Sequence, residues 1–162
     1  MTGKRLWITA LSLLLGVLAS PVWAQALNLS GPDGQTATLS STDVAALPHV
    51  ALTVTIEGKT VTYDGVPLTR LLERVGAPAA KALHGAALRD IVLVTGRDGY
   101  AAALALAETD PAFRKNQILL ADRADGQPLG ENAGPYRLVV EGDLRAARCV
   151  RMVTSIEVKA AR

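Results

Sequence analysis

Short runs of alternating apolar and polar residues dominate this chain and predict strands. Residues 49–63, HVALTVTIEGKTVTY, alternate apolar with small or polar residues on both sides of Glu57, Gly58 and Lys59. A period of two places alternate side chains on opposite faces of a strand. Two such runs separated by a short break that contains glycine predict a β-hairpin.

The clearest helix signal follows at once, in YDGVPLTRLLERVGAP. Apolar residues at helical spacing share one face: Leu68, Leu71, Leu72 and Val75. Pro67 suits the first turn of a helix, and Gly76 and Pro78 end it. The sequence therefore predicts a helix from Pro67 to Val75 and a weaker one over 79–83.

Later apolar runs predict strands at 91–95, 100–108, 118–122, 136–142 and 150–158. Glycine-containing turns separate most of them, and neither an internal repeat nor a long linker divides the chain after its first residues. Many strands with one or two inserted helices predict a single α+β domain built on a mixed sheet.

The first residues have the plan of a cleavable secretory signal. Lys4 and Arg5 supply positive charge, residues 6–19 are almost entirely apolar, and residues 22–24, VWA, offer small side chains at the positions a signal peptidase reads. The apolar run is shorter than the roughly 20 residues of a membrane-spanning helix. We therefore expect cleavage after Ala24 and no direct membrane insertion of what remains.

Cleavage would divide the chain into a Sec-type signal peptide, 1–24, and one domain, 25–162, in the periplasm. The pair Lys4-Arg5 is not a twin-arginine motif, so the signal is suited to export of an unfolded chain. The 17 basic and 15 acidic residues of the whole chain become equal in number once Lys4 and Arg5 are removed. This balance gives no indication of nucleic-acid binding.

Familiar catalytic and metal-binding spacings are absent from the sequence. It contains no CxxC, HExxH or GxSxG motif, and its histidines, His49 and His84, lie far apart. Cys149 is the single cysteine, so it is buried, exposed and reactive, or paired with another molecule. Burial is the usual state of a free cysteine and is our expectation. The turn at 96–99, GRDG, is compatible with a phosphate-binding loop or a plain turn.

Arginines concentrate towards the end of the chain, at Arg137, Arg145, Arg148 and Arg151. The guanidinium fork matches phosphate and carboxylate groups, so these residues form a candidate anion clamp. The alternative is a solvated basic edge balanced by Glu141, Asp143 and Glu157.

Four segments in this order resemble the molybdopterin-binding domain of the sulfite oxidase family: DGVPLTRLLERVG, GRDGY, LLADRADGQPLGENAGPYRLVV and ARCVRMVTSIEV. The resemblance covers roughly residues 27 to 158. It implies the mixed-sheet α+β molybdopterin-binding fold of that family. It also implies that Arg137, Arg148 and Arg151 face a pterin or its phosphate, and that Cys149 borders the pterin where the family has a serine.

The chain departs from the family pattern where the family binds molybdenum. The family's metal-binding cysteine would fall within 54–59, which here reads VTIEGK, and Asn132-Ala133-Gly134 replaces a histidine-glycine pair. Glu57 and Thr55 are not substitutes for a soft thiolate ligand. Members of the family acquire their cofactor before export, which disagrees with a signal for unfolded export. The resemblance therefore implies a pterin site without a metal centre.

A pterin presents a flat ring for stacking and adjacent N–H groups that one carboxylate can accept. Tyr100 and Tyr136 are the stacking candidates, and Asp98, Asp122 and Glu131 are the candidate carboxylates. For each acid alone, an ordinary place in a turn or on the surface is the competing interpretation.

Small exported relatives of this kind act as periplasmic pterin-binding proteins. The resemblance thus implies a ligand-sensing partner of a membrane-bound signalling protein, namely a diguanylate cyclase or phosphodiesterase or a sensor kinase. No tightly bound cofactor is expected. Two alternatives stay open: a molybdopterin-dependent oxidoreductase, and an interaction protein that kept the fold without a ligand.

Overall fold

The computed structural model describes residues 25–160, so the predicted signal peptide at 1–24 lies outside the described residues. The strands are β1 Leu27–Ser30, β2 Thr36–Leu39, β3 Val50–Ile56, β4 Lys59–Pro67, β5 Ile91–Gly96, β6 Ala101–Ala105, β7 Ile118–Ala124, β8 Gln127–Pro128, β9 Arg137–Val140 and β10 Val153–Lys159. The helices are α1 Ser41–Ala45 and α2 Leu68–Glu73, with 3-10 turns at Ala80–Ala82, Gly85–Arg89, Leu106–Thr109 and Ala146–Arg148.

The strands form two five-stranded sheets. The first sheet has the order β2-β1-β10-β5-β6, in which β1 and β10 are parallel and the other neighbours antiparallel. The second has the order β3-β4-β7-β8, and β9 also pairs with β7. The predicted α+β class with a mixed sheet is confirmed.

One hydrophobic core contains side chains from both sheets and both helices. Its fully buried members include Leu27, Val44, Leu68, Leu71, Leu104, Leu120, Leu138 and Ile156. A smaller cluster lies on the other face of the second sheet: Leu52, Val54, Tyr63, Leu119, Ala121 and Val139. The second sheet therefore has apolar residues on both faces near its centre.

The predicted hairpin is β3–β4, with all seven residues of β3 paired in continuous register. Glu57 and Gly58 form the turn with φ values of 52° and 78°. Positive φ at both central residues is the mark of a type I′ turn, which suits the twist of the flanking strands. Lys59, which the sequence placed in the break, already belongs to β4.

The predicted helix is α2, which begins directly after Pro67 and buries Leu68, Leu71 and Leu72. Gly76 follows with φ 75°, a conformation that suits glycine at the end of a helix. The weaker helix predicted over 79–83 is only a 3-10 turn, Ala80–Ala82.

Two predicted strands differ most from the observed bounds. The run at 100–108 leaves the sheet at Ala105, because the Glu108 carboxylate accepts the Ala105 N–H and the chain turns into a 3-10 helix. The closing strand begins at Val153 rather than at 150, because Met152 adopts φ 51° and interrupts the extended backbone. This late start leaves residues 146–152 free to line a site.

Candidate functional site

A cavity of about 310 Å³ lies between the β5–β6 turn, the start of β9 and the 3-10 turn Ala146–Arg148. Its lining residues are Asp98, Tyr100, Arg137, Ala146, Ala147, Cys149 and Arg151. The volume is at the lower end of small-molecule sites, about 300–1,000 Å³. We call it the arginine cavity.

The β5–β6 turn holds Asp98 and Tyr100 in place. The Gly96 N–H donates to the Tyr100 carbonyl at 2.8 Å, and the Asp98 Oδ1 accepts the Tyr100 N–H at 3.0 Å. The Tyr100 hydroxyl donates to the Ala147 carbonyl at 2.6 Å. The Tyr100 ring therefore spans the two walls in a fixed orientation while half its surface stays exposed.

Arg137 and Arg151 supply the positive charge of the cavity. The Arg137 guanidinium carbon lies 5.6 Å from the centre of the Tyr63 ring, a cation–π geometry. Its Nε is buried and has no hydrogen-bond partner within residues 25–160. Neither arginine forms an ion pair with an acid in that part of the chain. A buried unpaired N–H donor is unfavourable, so other interactions of the side chain, such as its contact with Tyr63, must offset this cost.

Cys149 lies in the cavity wall and is 4% exposed, so the predicted burial is confirmed. Its N–H donates to the Ala146 carbonyl at 2.9 Å, which closes the 3-10 turn. The described residues hold no group of three or more histidine, cysteine or acidic side chains arranged for a metal ion.

Arg148 is not among the cavity lining, although the resemblance placed it beside the pterin. Its Nε and one terminal nitrogen bind the two carboxylate oxygens of Asp143 at 2.9 and 2.6 Å, and its other nitrogen lies 3.3 Å from Glu108. The hydrogen bond to Asp143 is the main reason that the pKa of Arg148 is raised, with Glu108 contributing. In this 3-10 turn, Ala147 and the following Cys149 line the cavity, whereas the Arg148 side chain is directed away from it.

Tyr136 and Asp122 lie at a second, more open groove of about 490 Å³ that α1 and β8 border. Tyr136 is 2% exposed within the core, so its ring presents no open face for stacking. The Tyr136 hydroxyl and the Asp122 Oδ1 are buried without partners in the described part of the chain, while the Asp122 Oδ2 lies 3.2 Å from His49. Burial raises the pKa of Tyr136, and the charges of Asp122 and Asp43 add to the shift.

Glu131 is exposed at a third groove, of about 440 Å³, together with Arg97 and Pro135. The arginine cavity thus unites Asp98, Tyr100, Arg137, Cys149 and Arg151, while Arg148, Tyr136, Asp122 and Glu131 lie elsewhere. Tyr63, whose ring lies beneath Arg137, was not among the predicted site residues. Only the β4–β7–β9 pairing brings those two residues together.

The chain matches a known family of domains. The family model described as "Oxidoreductase molybdopterin binding domain" matches residues 21–162, and the chain therefore belongs to that family.

Among solved structures, the chain is similar to the sulfane dehydrogenase SoxCD from Paracoccus pantotrophus, with a TM-score of 0.67 and 18% sequence identity. The match covers 84% of this chain and 38% of that one, so this chain spans well under half of its structural relative. At this identity the similarity shows the fold alone. No curated protein sequence matches the chain. Within residues 25–160, no helix is long and apolar enough to cross a membrane.

Proposed function

We propose that this protein binds a pterin in the arginine cavity without a molybdenum centre. Exported to the periplasm, it would report that ligand to a membrane-bound signalling protein. The observation that carries the proposal is the convergence, on a single cavity, of one carboxylate, one oriented aromatic ring and two arginines that have no acidic partner among residues 25–160. Each residue alone has an ordinary structural explanation, whereas the set matches the polar edge and flat face of a pterin.

The contacts assign a role to each group. The Tyr100 ring, fixed by its bond to Ala147, is the stacking surface. Asp98 uses one carboxylate oxygen to hold the turn, which leaves the other for the N–H groups of the pterin edge. Arg137 and Arg151 donate to the ring carbonyl or to an anionic substituent of the pterin.

The same residues would hold the pterin of molybdopterin, which supplies two-electron redox chemistry at its metal when bound. A thiolate ligand for that metal is the missing element. The turn of the β3–β4 hairpin offers none, and the single thiol of the chain, Cys149, lies on the wall with the arginines. This distribution of donors favours a binding protein over a molybdopterin-dependent oxidoreductase.

Titration of the purified protein with oxidised and reduced pterins, followed by quenching of pterin fluorescence, tests the binding site. Arg137→Ala and Arg151→Ala are each expected to weaken binding about 10- to 100-fold, the equivalent of one charged hydrogen bond. Arg89→Ala, an exposed arginine at the end of the 3-10 turn Gly85–Arg89, is the matched control. Unchanged affinity in both cavity variants would show that the site is wrongly placed.

Elemental analysis and mass spectrometry of small molecules released on denaturation separate the alternatives. We expect a pterin and no stoichiometric molybdenum. Stoichiometric molybdenum in protein isolated from its native host would favour the oxidoreductase, and absence of any pterin together with no measurable affinity would favour an interaction protein without a ligand.

The signalling role rests on the family resemblance and on the predicted export. We expect the periplasmic region of a diguanylate cyclase, phosphodiesterase or sensor kinase encoded beside this protein to bind the pterin-loaded form at least tenfold more tightly than the pterin-free form. Calorimetric titration of that region with both forms is the measurement. Equal affinities would remove the sensing role but leave pterin binding intact.

A further inference from the structure

The outer edge of the second sheet is an uncharged strand. Within residues 25–160, β3 pairs with β4 on one side and with no strand on the other. Its seven residues, VALTVTI, contain no charge, proline or glycine. Soluble proteins usually protect such an edge with lysine, proline or a bulge, because its free backbone groups pair readily with another strand.

The hairpin turn determines which backbone groups face that open edge. In a two-residue type I′ hairpin, the pair that flanks the turn, here Ile56 and Lys59, exchanges both hydrogen bonds, and hydrogen-bonded pairs then alternate along the ladder. The alternation assigns the N–H and C=O groups of Ala51, Thr53 and Thr55 to the side away from β4. No backbone hydrogen bond to another described segment uses these groups.

The strand is self-complementary about Thr53. In an antiparallel pairing of two copies centred on Thr53, Ala51 opposes Thr55 and Leu52 opposes Val54 of the second copy. Apolar side chains then meet apolar ones on the inner face, and small or hydroxyl side chains meet on the exposed face. The same threonine pairing already occurs within the hairpin, where the Thr53 and Thr62 hydroxyls are 2.9 Å apart.

We propose that two copies of this chain form a symmetric dimer by antiparallel pairing of their β3 strands through the open edge. The register is set by the outward backbone groups of Ala51, Thr53 and Thr55. An extended segment of another protein would also find hydrogen-bond partners at this edge, but the match of both faces under two-fold symmetry selects a second copy. A seven-residue edge buries less surface than a standard interface, so dissociation in the micromolar range is expected.

Sedimentation equilibrium over a wide concentration range tests the dimer. Thr53→Lys places two ammonium groups opposite each other at the dyad and should render the protein monomeric, whereas the wild type dimerises. An equimolar mixture of Thr53→Lys and Thr53→Glu should restore a dimer, because opposite charges then face each other. Thr36→Lys, on the edge strand β2 of the first sheet, is the matched control and should dimerise as the wild type does.

Hydrogen exchange on the unmodified protein gives a second measurement that does not depend on how the variants fold. Protection of the Thr53 amide should rise with protein concentration, while that of the Thr36 amide should not. A wild type that stays monomeric throughout, or a Thr53→Lys variant that dimerises normally, would overturn the proposal. Pterin binding in the arginine cavity would be unaffected by either outcome.

Discussion

The side chains of two adjacent residues, Tyr136 and Arg137, point in opposite directions. The Arg137 side chain reaches the arginine cavity, whereas the Tyr136 ring enters the core. Consecutive residues of an extended chain point to opposite faces, so at most one of them can face a given cavity. The segment GPYR was predicted to border a site, but its sequence did not show which of its side chains lines the cavity.

Tyr136→Phe is expected to leave the free energy of unfolding unchanged or to raise it by about 1 kcal/mol, because it removes a buried hydroxyl without a partner. Because the pKa of Tyr136 is raised in the folded protein, ionisation of this hydroxyl favours the unfolded state. The free energy of unfolding is therefore unaffected by this group below the unfolded pKa of about 10 and falls as pH rises from there through the folded pKa. Urea denaturation at neutral pH and above pH about 10 measures both effects. A clear loss of stability at neutral pH would mean that the hydroxyl has a partner.

At the scale of elements, the 3-10 turn Ala146–Arg148 forms one wall of the cavity, and ion pairs on the side away from the cavity hold it in place. Arg148 joins it to Asp143 and to Glu108, and Glu108 also binds Arg114 at 3.4 Å. The Glu108 carboxylate accepts the Ala105 N–H at the end of β6 as well. From these contacts we expect Arg148 to position the cavity wall rather than to contact a ligand.

Arg148→Ala should weaken pterin binding by loosening this wall, and Asp143→Asn should weaken it to a similar degree. If Arg148 instead contacted the ligand directly, Asp143→Asn should strengthen pterin binding, because the arginine released from Asp143 could then bind the ligand. Hydrogen exchange at the Cys149 amide, which donates to the Ala146 carbonyl and closes the turn, should be faster in both variants and is measured beside the affinity. Unchanged exchange with lost affinity would indicate direct contact.

Strong local signals were sufficient to predict the β3–β4 hairpin and α2. The elements that were not predicted, β1, β2, β8 and α1, are only two to five residues long, and β1 pairs with β10 at the far end of the sequence. The late start of β10 likewise depends on distant contacts, because the Arg97 N–H donates to Met152 and the Val153 N–H to Tyr136. The spacing of apolar residues along the sequence does not reveal such contacts between distant segments.

The same limit applies to the site. The family resemblance supplied Arg137, Arg148, Cys149 and Arg151, of which Arg148 lies outside the cavity, whereas Asp98, Asp122 and Glu131 were proposed together from residue type and only Asp98 lines the cavity. Nothing in their local sequence distinguishes an acid near the cavity from an acid on another groove.

At the scale of the whole molecule, a single core joins the two sheets. Ile156, in the centre of β10, is fully buried and packs in the same cluster as Leu120 and Leu138 of the second sheet. We therefore expect the two sheets to unfold together, as small single domains usually do.

Ile156→Ala should lower the free energy of unfolding by about 2–5 kcal/mol, because it leaves a cavity at the centre of the core. Circular dichroism and amide exchange of β5 and β7 residues should report one shared transition in the variant. Ser155→Ala, the neighbouring residue on the less buried face of β10, is the control and should change stability far less. Separate transitions for the two sheets would contradict the shared core.

The parallel pairing of β1 with β10 also determines the order in which the molecule can be assembled. It joins Asn28 to Ser155, and β10 separates the β1–β2 hairpin from the β5–β6 hairpin. A chain that emerges with its N-terminus first cannot close this sheet until its last strand has appeared. Contacts between such distant residues form slowly, so the chain remains without its complete first sheet for as long as it is being synthesised.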